Sequence, residues 1–309
     1  MATAGASAPS GKRFANWLQH EGVRKLSLWV SLLVIIILLL CAVLAPFLEP
    51  YGPHEVGLRK GEQGVGPFVS LQHPLGVDRL ERDTLSRLIY GARMSVFVVL
   101  STVALSAAVG AGLGLAAGYF GGWVDHVLTG LAAAISTVPP GWRSTLLSIV
   151  LLALGFYMAL VLVSNLGSGI NNVVIALSII GVPRTSLAVR NIIRGIKGRN
   201  PAGAAEPGGT TPPLGSRREM LFSIFIGLLI VGSLQAKQIF VAETLLSFLG
   251  VGIAWGEPAW GIMAADGRTG MGNGWFPMAC IVCTAAALHF FGHWVRDMLV
   301  PRLPRIARL

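Results

Sequence analysis

Four polar residues interrupt the long apolar run from Met220 to Leu249 and are the first candidates for chemistry: Gln235, Lys237, Gln238 and Glu243. An ionisable group inside a membrane span is costly, so it normally faces protein or water and marks a functional path. Lys237 is interpreted either as lining such a path or as snorkelling from a shifted helix. Glu243 is either functional or structural, and we hypothesise that it holds this run against the loop that follows.

A second group of potential ligands lies in the last apolar run, where Cys280 and Cys283 precede His289 and His293. The two histidines are four residues apart and share a helix face. Cys283 and His289 are separated by roughly 240° around a helix, and no acidic residue joins the group. Buried cysteines and an interfacial histidine are the favoured interpretation, so no metal site is predicted.

No arrangement typical of an enzyme is present. The sequence shows no serine–histidine–acid set, and the carboxylates of Asp78 and Asp83 stand among arginines, where salt bridges on an amphipathic segment are the better interpretation. The phosphate-binding pattern G-x-x-x-x-G-K-[ST] does not occur. We therefore expect no catalytic residue and no cofactor bound by this chain.

The composition indicates a membrane protein. The 309 residues are 53% hydrophobic and only 12% charged, against about 25% charged in soluble domains. A net charge of +10 could indicate nucleic acid, but the bases lie in loops beside apolar runs, where they set topology and meet lipid headgroups. Nucleic acid is not expected as a partner, and three cysteines in or beside apolar runs indicate no disulfide framework.

Six apolar stretches are predicted to cross the membrane: residues 26–48, 94–119, 124–165, 171–189, 220–249 and 277–294. The third is broken near Pro139-Pro140-Gly141, because proline interrupts a helix. The sequence leaves open whether residues 132–163 make one broken span or two short segments. Bases in the tails 1–25 and 298–309 predict that both termini are cytoplasmic, with residues 49–91 outside.

The longest polar interruption in the second half of the chain is the loop 190–219. Its six bases face only Glu206 and Glu219 and are Arg190, Arg194, Lys197, Arg199, Arg217 and Arg218. Loops rich in Lys and Arg stay on the cytoplasmic side. We therefore expect this loop to meet cytosolic partners. Trp255, Trp260 and Trp275 are predicted to anchor the opposite boundary, where indole rings prefer to lie.

Several blocks of sequence, taken in order, resemble one known family. They are His73–Asp78, Arg82-Asp83, Leu85–Arg93, Ala117–Asp125, Glu243–Gly252, Pro258–Gly261, Arg296-Asp297 and Pro301-Arg302. From about Pro46 to Arg302 the chain is similar to the inner-membrane permease subunit of dipeptide/oligopeptide/nickel ATP-binding-cassette (ABC) importers, specifically the C-type partner of the two permeases. Glu81 departs from the family, which usually has glycine there.

The resemblance implies an all-α integral membrane protein with six transmembrane helices and the type I ABC importer permease fold, its permease domain covering residues 92–297. It implies a second, similar permease, two cytosolic ATPases that carry ATP and Mg, and an extracytoplasmic solute-binding protein. The transported solute would be a di- or oligopeptide or a similar small molecule, moved by alternating access across a bacterial inner membrane. It also leaves Glu243 with a structural role at the outer end of the fifth span as readily as a functional one.

The resemblance also defines one departure. The family's cytoplasmic loop carries an E-A-A-x-x-x-G pattern on a short helix that docks on the ATPase. Without gaps this pattern falls on Gly203, Ala204, Ala205 and Gly209, so glycine replaces the glutamate. Proline costs roughly 3 kcal/mol and glycine about 1 kcal/mol inside a helix, and both crowd this segment, so no regular coupling helix is expected. The alternatives are an unusual docking surface, a permease-like scaffold or regulator uncoupled from ATP, and, less favoured, an integral-membrane enzyme.

Overall fold

The structure is a computed structural model that describes residues 21–55, 66–69, 71–78, 80–122, 125–126, 130, 155–197, 217–267 and 274–302. The helices with described bounds are α1 (Glu21–Leu48), α2 (Thr84–Phe120), α3 (Gly155–Leu166), α4 (Ile170–Lys197), α5 (Arg217–Phe248), α6 (Trp260–Gly267) and α7 (Trp275–Leu299). A 3-10 turn, Val300–Arg302, follows α7. In these ranges the only β pairing is one isolated bridge, between Val77 and Asp83.

Five of these helices, α1, α2, α4, α5 and α7, are long and apolar enough to cross a membrane, and α3 is apolar but shorter. The predicted all-α integral membrane fold is therefore confirmed. The break near Pro139, and the choice between one span and two segments, lie outside the described residues. Within the predicted third span, α3 is the part whose bounds are described.

The membrane-spanning helices are longer than predicted, most of all at the beginning of α2 and at the end of α4. α2 begins at Thr84 rather than residue 94, because the Asp83 carboxylate caps it and accepts a hydrogen bond of 2.7 Å from the Ser86 amide. α4 continues to Lys197 rather than ending at residue 189, and α5 begins at Arg217. The polar loop 190–219 is therefore shorter than predicted.

The bundle has two distinct ends. At one end, Trp260 of α6 donates through Nε1 to the Leu88 carbonyl of α2, and the Gly169 amide before α4 donates to the Gly252 carbonyl after α5. We call this the α6 end, and the opposite end, where α2 finishes and α4 finishes, the Asp125 end. The helix α6 lies between the predicted spans 220–249 and 277–294, where no helix was predicted.

Small residues bring α2 and α4 together along most of their length. Gly110, Gly114 and Gly118 of α2 face α4, and a Cβ atom placed on Gly114 would lie 2.5 Å from the Ser186 carbonyl oxygen. Such close approach of backbones is how helices associate in lipid, where apolar burial gives no driving force. Thr185 adds a hydrogen bond of 3.1 Å from Oγ1 to the Ser106 carbonyl. The α2–α4 contact thus positions the polar groups described below.

Candidate functional site

A network of arginines and one aspartate holds the start of α2 at the α6 end. The Asp78 carboxylate accepts from Arg82 Nε at 2.8 Å and from Arg87 Nη1. Arg82 and Arg87 also donate to the carbonyls of Gly256 and Glu257 in the loop before α6. The side chain of Arg87 is nearly inaccessible. These contacts confirm the predicted salt bridges for Asp78, whereas Asp83 pairs instead with His73 at 3.0 Å and caps α2.

The three tryptophans predicted at the boundary divide into two groups. Trp255 and Trp275 are 65% and 57% exposed, as expected for anchors. Trp260 is only 4% exposed, so for this residue the prediction of an anchor was wrong. Its ring packs against Gly91, where a Cβ atom would lie 2.3 Å from the indole Cδ1, and the indole therefore fills the space that this glycine leaves.

Glu81 adopts a backbone φ of +58°. This left-handed conformation favours glycine, because a Cβ atom crowds the neighbouring carbonyl oxygen there. Glycine, which the family resemblance leads us to expect here, would adopt this conformation without strain. The departure of this chain is therefore a local strain in the turn between Asp78 and Arg82.

Glu243 is 1% exposed and lies near the end of α5. Its Oε1 accepts from Ser247 Oγ at 3.1 Å, its Oε2 accepts from Thr244 Oγ1 at 3.4 Å, and Ser247 Oγ in turn accepts from the Ile253 amide at 3.4 Å. This chain of hydrogen bonds links α5 to the loop that follows. It fits the hypothesis that Glu243 holds the two together, which stays a prediction.

Replacing Glu243 with glutamine is expected to lower the thermal midpoint of the purified protein, because one buried oxygen that accepts a hydrogen bond becomes a donor. The loss should be about 1–2 kcal/mol, typical of a disturbed buried hydrogen bond. A cycle with Ser247→Ala isolates the interaction: the double variant should lose less than the sum of the single losses. Unchanged stability and uptake in Glu243→Gln would exclude this structural role.

The other three predicted residues of α5 point in different directions. Gln235 is buried and donates through Nε2 to the Gly181 carbonyl of α4 at 3.1 Å. Lys237 lies half-buried against α7, with Nζ 3.3 Å from His289 Nδ1. Gln238 is exposed and accepts from Arg184 Nη1. The four residues picked out by sequence therefore do not converge on one site.

Sequence analysis missed Arg184, which lies near the middle of the 28-residue helix α4, directly after Pro183. The signal was present, because an arginine within an apolar run is rare and marks function or a polar partner. Its partner Gln238 is 54 positions away in sequence, so local periodicity does not reveal the pair.

A second charged cluster lies at the Asp125 end. Asp125 accepts from Arg190 Nε at 2.5 Å and Nη2 at 3.0 Å, and from Arg194 Nη2 at 2.7 Å. These three residues are called the Asp125 cluster. Hydrogen bonding from Arg190 is the main cause that lowers the pKa of the Asp125 carboxyl below its ordinary value. The two arginines therefore pair with an acidic residue from outside the loop, a partner that the charge balance within the loop does not indicate.

The Asp125 cluster joins the connection after α2 to the last turns of α4. Gly121 and Gly122 reverse the chain there with φ of +66° and +68°, a conformation that glycine adopts without strain. The candidate coupling residues lie outside the described residues: Gly203, Ala204, Ala205 and Gly209. The cluster stands close to the point where α4 leads into that segment.

In the last apolar run Cys280 is half-buried and Cys283 is exposed. The rings of His289 and His293 meet edge to face, with centroids 4.6 Å apart. Among the residues that the structure describes, no three His, Cys, Asp or Glu side chains are grouped as metal ligands. The expectation that the chain binds no metal stays a prediction.

Related proteins cover almost the whole chain. A protein of Brucella suis biovar 1 named as a peptide transport system permease is 30% identical over 285 residues, 91% of this chain and 90% of its own length. The dipeptide transport system permease protein of Bacillus subtilis is 30% identical over 280 residues, 89% of this chain and 82% of its own. The glutathione transport system permease protein of Pectobacterium atrosepticum is 28% identical over 275 residues, 88% and 85% of the two chains.

Two protein families match consecutive parts of the sequence. The N-terminal transmembrane domain of oligopeptide transport permease C matches residues 25–74. The binding-protein-dependent transport system inner membrane component matches residues 110–305 and has the type I importer permease fold. The described helices of the bundle, including the Asp125 cluster and the Arg184–Gln238 pair, lie largely within the second match. The chain therefore belongs to the binding-protein-dependent transport system inner-membrane components, as a permease subunit of the peptide/oligopeptide ABC importer family.

Proposed function

We propose that this permease subunit forms, with a second and similar permease, the translocation pathway for di- or oligopeptides or a similar small solute. The observation that carries the proposal is the similarity, over about nine-tenths of the chain, to permeases named for peptide, dipeptide and glutathione transport. All three names refer to peptide-like molecules. The pathway would lie at the interface of the two permeases.

In this proposal the chain catalyses no reaction and binds no cofactor. Two cytosolic ATPase subunits bind ATP and Mg and hydrolyse the ATP, and an extracytoplasmic solute-binding protein delivers the peptide. Membrane lipid surrounds the exposed apolar faces, such as that of α1, where Trp29 is 67% and Phe47 is 85% exposed. Nucleic acid is not a partner.

The proposed orientation has the Asp125 end and both termini in the cytoplasm of a bacterium, with the α6 end outside the inner membrane. Arg190 and Arg194 lie at the Asp125 end, and the basic residues of the loop up to Arg218 continue from there. Bases concentrated on one side favour the cytoplasmic location of that side. The ATPases would then dock on the loop between α4 and α5.

The second candidate function is a permease-like scaffold or regulator uncoupled from ATP hydrolysis. Gly203 stands where the family's pattern has glutamate, and prolines and glycines crowd the same segment. This candidate predicts a membrane complex that holds the second permease but recruits no ATPase. It also predicts that ATP drives no uptake.

The test is affinity purification from native membranes of the full chain and of a variant in which residues 200–213 are replaced by a Gly/Ser linker of the same length. The linker keeps α4 and α5 tethered, so a loss reports on the loop sequence and not on chain connectivity. Partners are identified by mass spectrometry, and ATP-driven uptake of a labelled tripeptide is measured in proteoliposomes.

We expect the full chain to recover a second permease and two ATPase subunits and to support uptake, and the linker variant to lose the ATPases. Recovery of the second permease without any ATPase would favour the uncoupled scaffold. Retention of the ATPases by the linker variant would show that docking does not use this segment.

A further inference from the structure

Arg184 places a positive charge deep in the bundle. It lies near the middle of α4, a helix of 28 residues that is ~42 Å long at 1.5 Å per residue. Gln238 lies about three turns, ~15 Å, before the end of α5. The hydrocarbon layer is ~30 Å thick. A layer of this thickness includes the midpoint of α4 wherever it lies along the helix, so Arg184 leaves the backbone inside the hydrocarbon.

The guanidinium of Arg184 has few hydrogen-bond partners among the described residues for a charge within a membrane span. Among the described residues its one hydrogen bond goes to the neutral Oε1 of Gln238, and no carboxylate lies within ion-pair distance. An arginine has five N–H donors, so several remain available. A charge inside the membrane is stable only where it meets water, an anion or other polar groups.

The side chains of Arg184 and Gln238 are also accessible from outside the described bundle. Gln238 is exposed and Arg184 partly exposed, and the next exposed positions on the same face of α5, Val241 and Leu245, are apolar. The Arg184 side chain bridges from α4 to α5, where its guanidinium donates to Gln238. Snorkelling would instead bring the charge to the interface.

A second cation at similar height provides a comparison. Lys237 lies on α5 against α7, beside His289 and His293, so it is partly covered and already has a neighbour that can accept a hydrogen bond from its ammonium group. Glu243, the nearest acidic residue along α5, bonds to Ser247 and Thr244 and does not neutralise either cation. The middle of the described bundle is therefore cationic, with Arg184 as its open member.

We propose that Arg184, with Gln238 beside it, binds the C-terminal carboxylate of a peptide at mid-height in the translocation pathway. This inference rests on the proposed function and deepens it, because every linear di- or oligopeptide carries this carboxylate whatever its side chains are. Guanidinium and carboxylate pair through two parallel N–H···O bonds, which gives both strength and orientation. Gln238 orients the guanidinium by accepting from Nη1.

The first test compares uptake of trialanine and trialanine amide by the complete transporter in proteoliposomes. Arg184→Gln is expected to lower trialanine uptake about tenfold, the loss of one charge-assisted contact of ~1.4 kcal/mol, and amide uptake less than twofold. Arg184→Lys should restore part of the trialanine uptake. Lys237→Gln is the control: it removes a cation at similar height that α7 partly covers. This variant should change the uptake of trialanine and of trialanine amide by the same factor.

The second test uses trialanine alone, so it does not require the solute-binding protein to deliver trialanine amide. In a chain with Cys41, Cys280 and Cys283 changed to alanine, Val241→Cys, on the exposed face of α5 next to Gln238, should react with a charged, water-soluble thiol reagent in the assembled transporter. Trialanine should slow this reaction at least fivefold. A matched Ile179→Cys variant, on an exposed apolar position of α4, should show no protection by peptide.

Equal losses for the two peptides in Arg184→Gln would overturn the site. A Val241→Cys thiol that is unreactive in the complex would overturn it too. If this thiol reacted only in the isolated chain, this face of α5 would belong to the contact with the second permease. Reactivity that trialanine does not change would overturn it as well. A wild-type complex that transports no peptide at all contradicts the proposed function itself, and this outcome is distinct from those.

Discussion

Replacing Asp125 with asparagine is expected to lower ATP-driven uptake about tenfold and the thermal midpoint of the purified chain by about 3 °C. The carboxylate accepts three hydrogen bonds from Arg190 and Arg194. Asparagine carries no charge, and its Nδ2 cannot accept a hydrogen bond from either guanidinium. Loss of a charge-assisted, two-bonded contact costs about 2 kcal/mol, which corresponds to a shift of this size in a chain of this length. Nano-differential scanning fluorimetry in detergent and uptake in proteoliposomes measure the two effects.

The reason for the effect on uptake is the position of the Asp125 cluster. It ties the connection after α2 to the end of α4, next to the loop on which we propose the ATPases dock. A loosened α4 would transmit their closure less efficiently, and a tenfold change corresponds to a coupling free energy of ~1.4 kcal/mol. Arg194, whose side chain is 45% exposed, supplies the matched comparison: Arg194→Gln should have a clearly smaller effect than Arg190→Gln. Similar effects of both would contradict this assignment.

The same variant has a defined pH dependence. The arginines lower the pKa of the folded-state carboxyl below its ordinary value, so its contribution to stability is fully present above the unfolded value of about 4 and is lost as the pH falls through the lower folded value. The difference in thermal midpoint between wild type and Asp125→Asn should therefore be constant from pH 8 to pH 5. It should shrink only below about pH 4, and a difference that already changes between pH 8 and pH 6 would contradict the role of this carboxylate.

Replacing Gly114 with alanine is expected to destabilise the protein by about 2 kcal/mol. The added Cβ would lie 2.5 Å from the Ser186 carbonyl oxygen and 2.8 Å from Val189 Cβ, so α2 and α4 would have to separate. Excess volume in a close-packed contact typically costs 1–3 kcal/mol. The measurement is the thermal midpoint together with the monodisperse fraction on size-exclusion chromatography.

The matched control is Gly112→Ala on the same helix. No atom lies within 4 Å of a Cβ atom built at Gly112, and alanine is the better helix former by about 1 kcal/mol. Its thermal midpoint should stay unchanged or rise slightly. If the two variants lost equal stability, the close approach of α2 to α4 would not be what Gly114 provides.

Two kinds of information in the sequence were sufficient for the fold class and the family. A membrane span is a local property, because about 20 consecutive apolar residues match the thickness of the hydrocarbon layer. The all-α membrane architecture could therefore be predicted from the apolar runs. The blocks such as Ala117–Asp125 and Glu243–Gly252 led to the same family as the comparisons, because the resemblance depends on residue order and spacing alone.

Helix bounds and irregular parts were predicted less well. The beginning of α2 was placed ten residues late because the capping role of Asp83 depends on a turn that also involves Asp78 and Arg82. The helix α6 was missed because it is only eight residues long and lies among glycines and tryptophans. Trp260 was predicted to be an interfacial anchor, but its indole packs in the core because Gly91 has no side chain in that space.

The sequence by itself therefore determined that this chain is a multi-pass α-helical membrane protein and a peptide-importer permease. Only the tertiary structure decided which polar residues act together. Asp125 meets Arg190 across 65 positions and Arg184 meets Gln238 across 54, while Gln235, Lys237 and Gln238, nearly adjacent in sequence, point to three different surroundings. The physical reason is that the length of an apolar span is a local property, matched to the thickness of the bilayer. The partner of a polar group depends instead on which faces of two helices come into contact, and here the small residues of α2 and α4 decide that contact.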